Sequence, residues 1–143
     1  MISTSKKGFT LIELMIVLII IGSLVAVSIP KLNSVILKSK QNVNITNLNL
    51  LREGLTSYYG DNGTYPVDDL SSLYPKYISK IPKLDIPDSG HSKSSLVITV
   101  SSTDTIEDSG HWAYVNVSSS PYFGSVFIDC SHLTLTGKRY CDY

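Results

Sequence analysis

Few residues of this 143-residue chain are placed to do chemistry, and the most conspicuous is Glu13. It is the one charged residue between Phe9 and Ile29, a run of twenty-one residues. A charged side chain inside a membrane-spanning helix costs roughly 2.5–3.5 kcal/mol, so such a group marks a partner or a function. What Glu13 offers is electrostatic. Cutting the chain after Gly8 would give Phe9 a free α-amino group one helical turn before the carboxylate, a cation of the right sign at helical spacing. The plain alternative is a carboxylate lying at the headgroup level and simply solvated.

Other reactive groups are sparse. His91, His111 and His132 are scattered, no Ser-His-Asp order stands out, and there is neither a glycine-rich phosphate loop nor a metal-spaced histidine pair. Catalytic residues are therefore not expected, and neither is an enzyme. Cys130 and Cys141, with ten residues between them, are the only cysteines. In an exported domain such a pair reads as a disulfide, worth roughly 3 kcal/mol in the chain-entropy model, with two reduced thiols as the alternative. A zinc site is disfavoured because no matching ligands stand near the two cysteines in sequence. Nine tyrosines are best explained by core and interface packing.

These groups must be positioned by a small number of elements. Met1–Gly8 is short, polar and basic, and the apolar stretch follows the small residue Gly8 instead of preceding it. A secretory signal has the reverse order, so cutting here would leave the anchor on the mature chain. The run from Phe9 to Ile29 is close to the roughly 20 residues needed to cross a bilayer core. Lys6 and Lys7 precede it, and Lys31, Lys38 and Lys40 follow. The comparison of flanks is ambiguous; the pair nearer the N-terminus would sit inside if the leader does, giving an N-in, C-out orientation for which the family resemblance described below carries most of the weight. Formal net charge is zero, with twelve basic and twelve acidic side chains, and no basic tract suits nucleic acid.

The run KGFTLIELMIVLIIIGSLVAVSIPK, from Lys7 to Lys31, resembles the class III signal and N-terminal helix of type IV pilins and type II secretion pseudopilins. A basic residue, Gly8, Phe9, Glu13 and Pro30 all fall where that family places them. The resemblance implies cleavage between Gly8 and Phe9 by a prepilin peptidase that also N-methylates Phe9. It further implies that Glu13 attracts the N-terminal amine of a neighbouring subunit as a fibre grows. Its implied partners are copies of itself in a homopolymer, the peptidase and N-methyltransferase, an inner-membrane assembly platform, minor pilins, and membrane lipid before assembly.

Beyond Pro30 the helix is expected to continue. Asn44, Leu48, Leu51, Leu55 and Tyr58 or Tyr59 recur at three- and four-residue intervals, a stripe that can pack on a sheet. Helix from Phe9 to Tyr59 would span about 77 Å at the standard rise. Gly22 and Pro30 weaken it locally by backbone freedom and a missing donor, so a kink or local melting is cheapest between them; the alternative is a tolerated membrane-helix proline, and the resemblance to pilins, whose assembled forms can lose helix in this section, implies the mechanical role. Gly60-Asp61-Asn62-Gly63 should end it. Asp68 can cap a short helix carrying Leu70, Leu73 and Tyr74. Strands are expected at Leu96–Val100, His111–Val117 and Ser125–Cys130, the second with Ala113, Val115 and Val117 on one face and Trp112, Tyr114 and Asn116 on the other.

The expected organisation is a leader (1–8), a transmembrane and assembly helix (9–30), an amphipathic helix (31–60), a connecting loop with a short helix (61–95), and an antiparallel sheet with a C-terminal disulfide loop (96–143). The fold class is α+β, a long N-terminal helix packed on a small antiparallel β-sheet. Calcium, which the resemblance raises, is disfavoured because the C-terminal region offers only Asp129 and Asp142, so no cofactor is expected. The function expected is that of a structural subunit of a type IV pilus-like surface filament, in the inner membrane before assembly. The alternatives are a major pseudopilin of a type II secretion system, a minor tip subunit in adhesion or DNA uptake, and, more distantly, an anchored enzyme.

Overall fold

A computed structural model describes residues 8–143; the basic leader residues Lys6 and Lys7 lie outside the described residues. The chain divides into two compact units, Met1–Ile36 and Leu37–Tyr143. One element runs through both sequences, a helix α1 at Leu11–Asn62, with unbroken helical assignment across Gly22 and Pro30. In the second unit follow three short strands, β1 (Val97–Val100), β2 (His111–Val115) and β3 (Val126–Asp129). Two 3-10 turns, Ser71–Leu73 and Tyr140–Asp142, complete the regular structure of the described residues.

The second half of α1 is amphipathic at the spacing its sequence announces. Gln41, Asn44, Leu48, Leu51 and Leu55 are buried and Tyr58 is partly buried, alternating steps of three and four that keep one stripe inward. Tyr59, the other tyrosine the spacing allowed, is exposed. The helix stops where expected. Gly63 adopts φ 70°, and its N–H donates to the Tyr59 carbonyl at 2.8 Å, so a left-handed residue satisfies a carbonyl that the helix leaves open.

The sheet departs from expectation in one respect. β2 and β3 pair antiparallel, but β1 and β2 pair parallel, with Val97 opposite Trp112 and Val100 opposite Val115. The expected antiparallel sheet is therefore a mixed one, ordered β1-β2-β3. Residues 101–110 make this feasible: a connection of that length can return along a four-residue strand, whereas a tight hairpin turn could not.

β2 is also more buried than a half-buried strand. Trp112 and Tyr114 join the stripe of α1 in the main core, together with Leu70, Leu73, Ile78, Leu84, Ile128 and Tyr140. Ala113 and Val115, on the opposite face, are equally buried, packed with Phe127, Ile98, Val100 and Ile106. The 101–110 connection supplies Ile106 to this second layer, which accounts for the lost solvent face. Expected member Val117 lies outside the strand and is exposed.

Core aromatics also hold the long loop between helix and sheet. Trp112 donates its indole N–H to the Pro82 carbonyl at 2.8 Å, and the Tyr114 hydroxyl donates to the Pro66 carbonyl at 2.6 Å. Asn44 closes the same layer from α1, its amide donating to the Asp85 carbonyl and accepting from the Asp85 N–H. Asp68 does act as a local cap, accepting the N–H groups of Leu70 and Ser72, but the element it starts is only a three-residue 3-10 turn. Leu70, at φ 69°, interrupts the longer helix that the sequence suggested.

Leu51 is fully buried at the centre of the α1 stripe. Leu51→Ala should lower the stability of the second unit by about 2–5 kcal/mol through lost transfer energy and a residual cavity. Urea unfolding of the full chain in detergent, read by the fluorescence of its single tryptophan, would measure this.

Candidate functional site

The first unit presents an apolar surface without a core of its own. Described large hydrophobic side chains from Phe9 to Ile36 are exposed, between 43% for Val17 and 77% for Leu11. This stretch of α1 is the one segment among the described residues long and apolar enough to cross a membrane. Gly22 sits in it with open space where a Cβ would stand, so its presence answers to no packing inside this chain.

At the start of the helix the structure gives Glu13 a local partner. Thr10 is the N-cap: its hydroxyl accepts the Glu13 N–H at 3.3 Å, while the Glu13 carboxylate accepts the Thr10 N–H at 2.8 Å. The Thr10 hydroxyl also donates to the same carboxylate oxygen, Oε2, at 2.7 Å. This is a reciprocal capping box, which satisfies two of the amides a helix start leaves open. Its sequence signal is the local pattern Thr-x-x-Glu ahead of an apolar run, at Thr10 to Glu13. Among the described residues every bond to this side chain falls on Oε2, so the carboxylate retains acceptor capacity for a further donor. Phe9 precedes the cap and is 74% exposed, and Gly8 is exposed beside it, so the bond between them is sterically open.

The second group of expected site residues lies at the other end of the chain. Cys130 and Cys141, the pair expected to form a disulfide, are not bonded to each other in the structure. Their backbones do meet, the Cys141 N–H donating to the Cys130 carbonyl at 3.0 Å. The sulfurs face different partners: Cys130 Sγ is 3.3 Å from His132 Nδ1, and Cys141 Sγ is 3.7 Å from Asp142 Oδ1. Burial, reinforced by the nearby Asp108 carboxylate, pushes the Cys130 thiol up to about 12, so it is protonated at neutral pH.

The structure also gathers residues that looked scattered. His91, Asp108, Cys130 and His132 come from three separate loops, and their potential ligand atoms all lie within 4.8 Å of one another. Loop origin hid this cluster from any spacing rule; the sole local signal was the Cys130-x-His132 pair. His111, the remaining histidine, takes no part. Of the two carboxylates considered for calcium, Asp129 is buried and accepts the backbone N–H groups of Glu107, Asp108 and Ser109 together with the Ser109 hydroxyl. Asp142 pairs with Arg139 through two hydrogen bonds.

The description prokaryotic N-terminal methylation motif matches residues 3–29 of this chain. Fimbrial protein EcpC of Eikenella corrodens is 35% identical over 86 residues, covering 57% of this chain and 56% of that protein. Type IV major pilin protein PilE of Neisseria gonorrhoeae is 36% identical over 90 residues, covering 55% and 52%. Type IV major pilin protein PilA of Myxococcus xanthus is 44% identical over 60 residues, covering 42% and 27%. The chain thus spans about half the length of the first two of these curated relatives. No solved structure matches it.

Thr10→Val removes the hydroxyl that accepts the Glu13 amide. The first turn of α1 should weaken by about 1 kcal/mol. Amide exchange at Glu13 and Leu14 in micelle-embedded full chain should accelerate several-fold, while exchange along Leu48–Leu55 stays unchanged.

Proposed function

We infer that this chain is a member of the type IV pilin family and a structural subunit of a surface filament, a reading supported by its N-terminal methylation motif and its likeness to fimbrial proteins and major pilins. It polymerises through the apolar half of α1 after removal of its leader. The observation that carries this reading is the conjunction at one helix start: an exposed Gly8-Phe9 bond, a carboxylate at Glu13 with acceptor capacity left over, and an unburied apolar helix behind it. In the bilayer, lipid covers the apolar side chains. In a filament, copies of the same helix do so.

Hydrophobic burial alone cannot select the filament, because acyl chains are as apolar as leucine side chains. The carboxylate supplies the difference. Glu13 is costly in hydrocarbon, and pairing with the ammonium of Phe9 on an adjacent subunit offsets that cost and fixes axial register. The capping bonds from Thr10 hold the carboxylate in place before a neighbour arrives. A tip subunit has no earlier neighbour to recruit, so Glu13 favours a repeating position in the fibre. The named relatives, all fimbrial proteins or major pilins, favour the pilus over a secretion pseudopilus. In this reading the leader faces the cytoplasm, and a prepilin peptidase with N-methyltransferase activity, an assembly platform and minor pilins are the machinery. Gly22 and Pro30 are the places where α1 loosens as subunits stack.

Electron microscopy of sheared surface material, with mass spectrometry of the subunit, tests the reading as a whole. Filaments built from a chain that starts at Phe9 with a methylated amine are expected. Gly8→Val should leave uncut precursor in the membrane; assembled filaments that retain Met1 would overturn the processing step.

A pair of substitutions separates the two roles of Glu13. Glu13→Gln keeps an acceptor for the Thr10 amide but removes the charge, and Glu13→Val removes both. Both should insert and be cleaved. If the counter-charge drives assembly, both should reduce fibre yield at least about tenfold, given the cost of leaving one member of an ion pair alone. Wild-type fibre number from Glu13→Gln would assign the residue to capping alone.

A further inference from the structure

We propose that His91, Asp108 and His132 form a three-ligand site for a divalent transition cation that favours nitrogen donors, of the zinc and copper class, and that the site operates with Cys130 and Cys141 joined in a disulfide. His91 Nε2 lies 3.5 Å from Asp108 Oδ1, and His132 Nδ1 lies 3.4 Å from the same oxygen. The two imidazole nitrogens are themselves within 4.8 Å of each other. Zinc bonds of about 2.0–2.1 Å to nitrogen and oxygen, in a tetrahedron, put ligand atoms roughly 3.3–3.4 Å apart. Both nitrogen-to-oxygen separations are close to edges of that size.

An ordinary ion pair does not account for this arrangement. The two rings stand edge to face, with centroids 5.1 Å apart, and each aims a nitrogen at one oxygen, Asp108 Oδ1. That oxygen already accepts the Ser131 N–H at 2.8 Å. A carboxylate oxygen has two lone pairs, so one remains for two imidazole nitrogens. His91 Nε2 is accordingly left buried without a hydrogen bond, a polar atom in want of a partner. A single cation on the remaining lone pair satisfies the carboxylate and both nitrogens together. Two imidazoles and one carboxylate, with water in the open position, are a ligand set that zinc and copper accept.

The surroundings hold all three side chains in place. Asp108 has φ 55°, an uncommon backbone for a residue with a side chain, and Asp129 fixes it by accepting the N–H groups of Glu107, Asp108 and Ser109. The His91 N–H donates to the Ser89 hydroxyl at 3.2 Å. Gly110 leaves room for the His91 ring, since a Cβ there would lie 2.4 Å from the ring carbon Cγ. The His132 carbonyl accepts the N–H of the buried Tyr140 at 3.1 Å, which ties its loop to the core. This division between ligands and the outer groups that aim them is the usual build of a metal site.

The site makes no use of a cysteine. Cys130 Sγ lies 3.3 Å from His132 Nδ1, but a sulfur bonded to Cys141 has no proton to share, and the nitrogen is left to the carboxylate and the ion. Bridge and ion then do different work. The bridge closes the C-terminal segment on itself, and the ion joins that segment, through His132, to the loops that carry His91 and Asp108.

The test uses the full chain purified in detergent without reductant, its disulfide verified by intact mass, stripped with chelator and titrated with Zn²⁺ by calorimetry and with Cu²⁺ by electron paramagnetic resonance. Saturation at one equivalent is expected, with copper coupled to two nitrogens and a Zn²⁺-dependent rise in the thermal midpoint read by Trp112 fluorescence. His91→Ala and His132→Ala should each remove one coupled nitrogen. Each should also weaken Zn²⁺ binding by at least the roughly 10–100-fold that loss of a mere supporting residue costs. Asp108→Asn, which keeps an acceptor for the Ser131 N–H but removes the charge, should weaken Zn²⁺ binding with both nitrogens still coupled to copper. His111→Ala should change neither signal. Absence of one-equivalent binding by the natively folded, oxidised chain would overturn the site. So would a copper spectrum that survives loss of both His91 and His132, or one with a sulfur-to-copper charge-transfer band.

Discussion

Everything in this molecule follows from a carboxylate that has no inexpensive surroundings in an apolar helix. Glu13 sits in a stretch whose large side chains are exposed in the isolated chain, so that stretch must be covered by lipid or by other protein. Lipid covers the aliphatic groups but leaves the charge uncompensated; a neighbouring chain end can do both. The Thr10 cap offers partial relief by giving the carboxylate two hydrogen bonds within its own first turn. In the proposed filament that arrangement suits the state before assembly, because hydrogen bonds to neutral donors relieve a buried charge less than an opposite charge does.

A helix stretch whose large apolar side chains all face outward cannot use the same residues to fold a domain. Sequence solves this by changing the character of α1 along its length, from apolar all round to one inward stripe at Gln41, Asn44, Leu48, Leu51 and Leu55. Two of these five are amides, and neither is idle: Gln41 accepts the Leu135 N–H and Asn44 exchanges two bonds with Asp85. They tie the helix to loop backbone where an aliphatic side chain could only pack. Arg52, on the neighbouring face, donates to the carbonyls of Val126 and Tyr143 and so joins the third strand and the chain terminus to the same helix.

The parts of the fold that were legible in sequence are those governed by local periodicity and turn chemistry. The α1 stripe, its termination at Gly63 and the approximate positions of the three strands all depend on residues within a few positions of one another. What was not legible depends on long-range closure. Whether β1 runs parallel or antiparallel to β2 is decided by how residues 101–110 return, and their composition says only that they are a loop. Burial of both faces of β2 follows from that same return, since Ile106 reaches the outer layer. The Glu13 cap is local in the same sense, since Thr-x-x-Glu puts both of its partners within one helical turn. The cluster of His91, Asp108, Cys130 and His132 could not be found by spacing, because its members come from three separate loops that the fold brings together.

The C-terminal segment has little regular structure of its own to hold it. After β3 the chain makes one isolated bridge, Leu133 with Arg139, and one 3-10 turn, and it buries Tyr140 as its main apolar anchor. Residues 101–110 are similarly short of regular structure, and Asp129 gathers three of their amides around one carboxylate. Domains of this size bury a limited share of their surface, so irregular segments at their edge gain little from the hydrophobic core and depend on specific chemistry. A bridge from Cys130 to Cys141 would close the C-terminal segment on itself, whereas residues 101–110 rest on Asp129 and on Ile106 in the outer apolar layer, so the two irregular stretches are fixed by different chemistry.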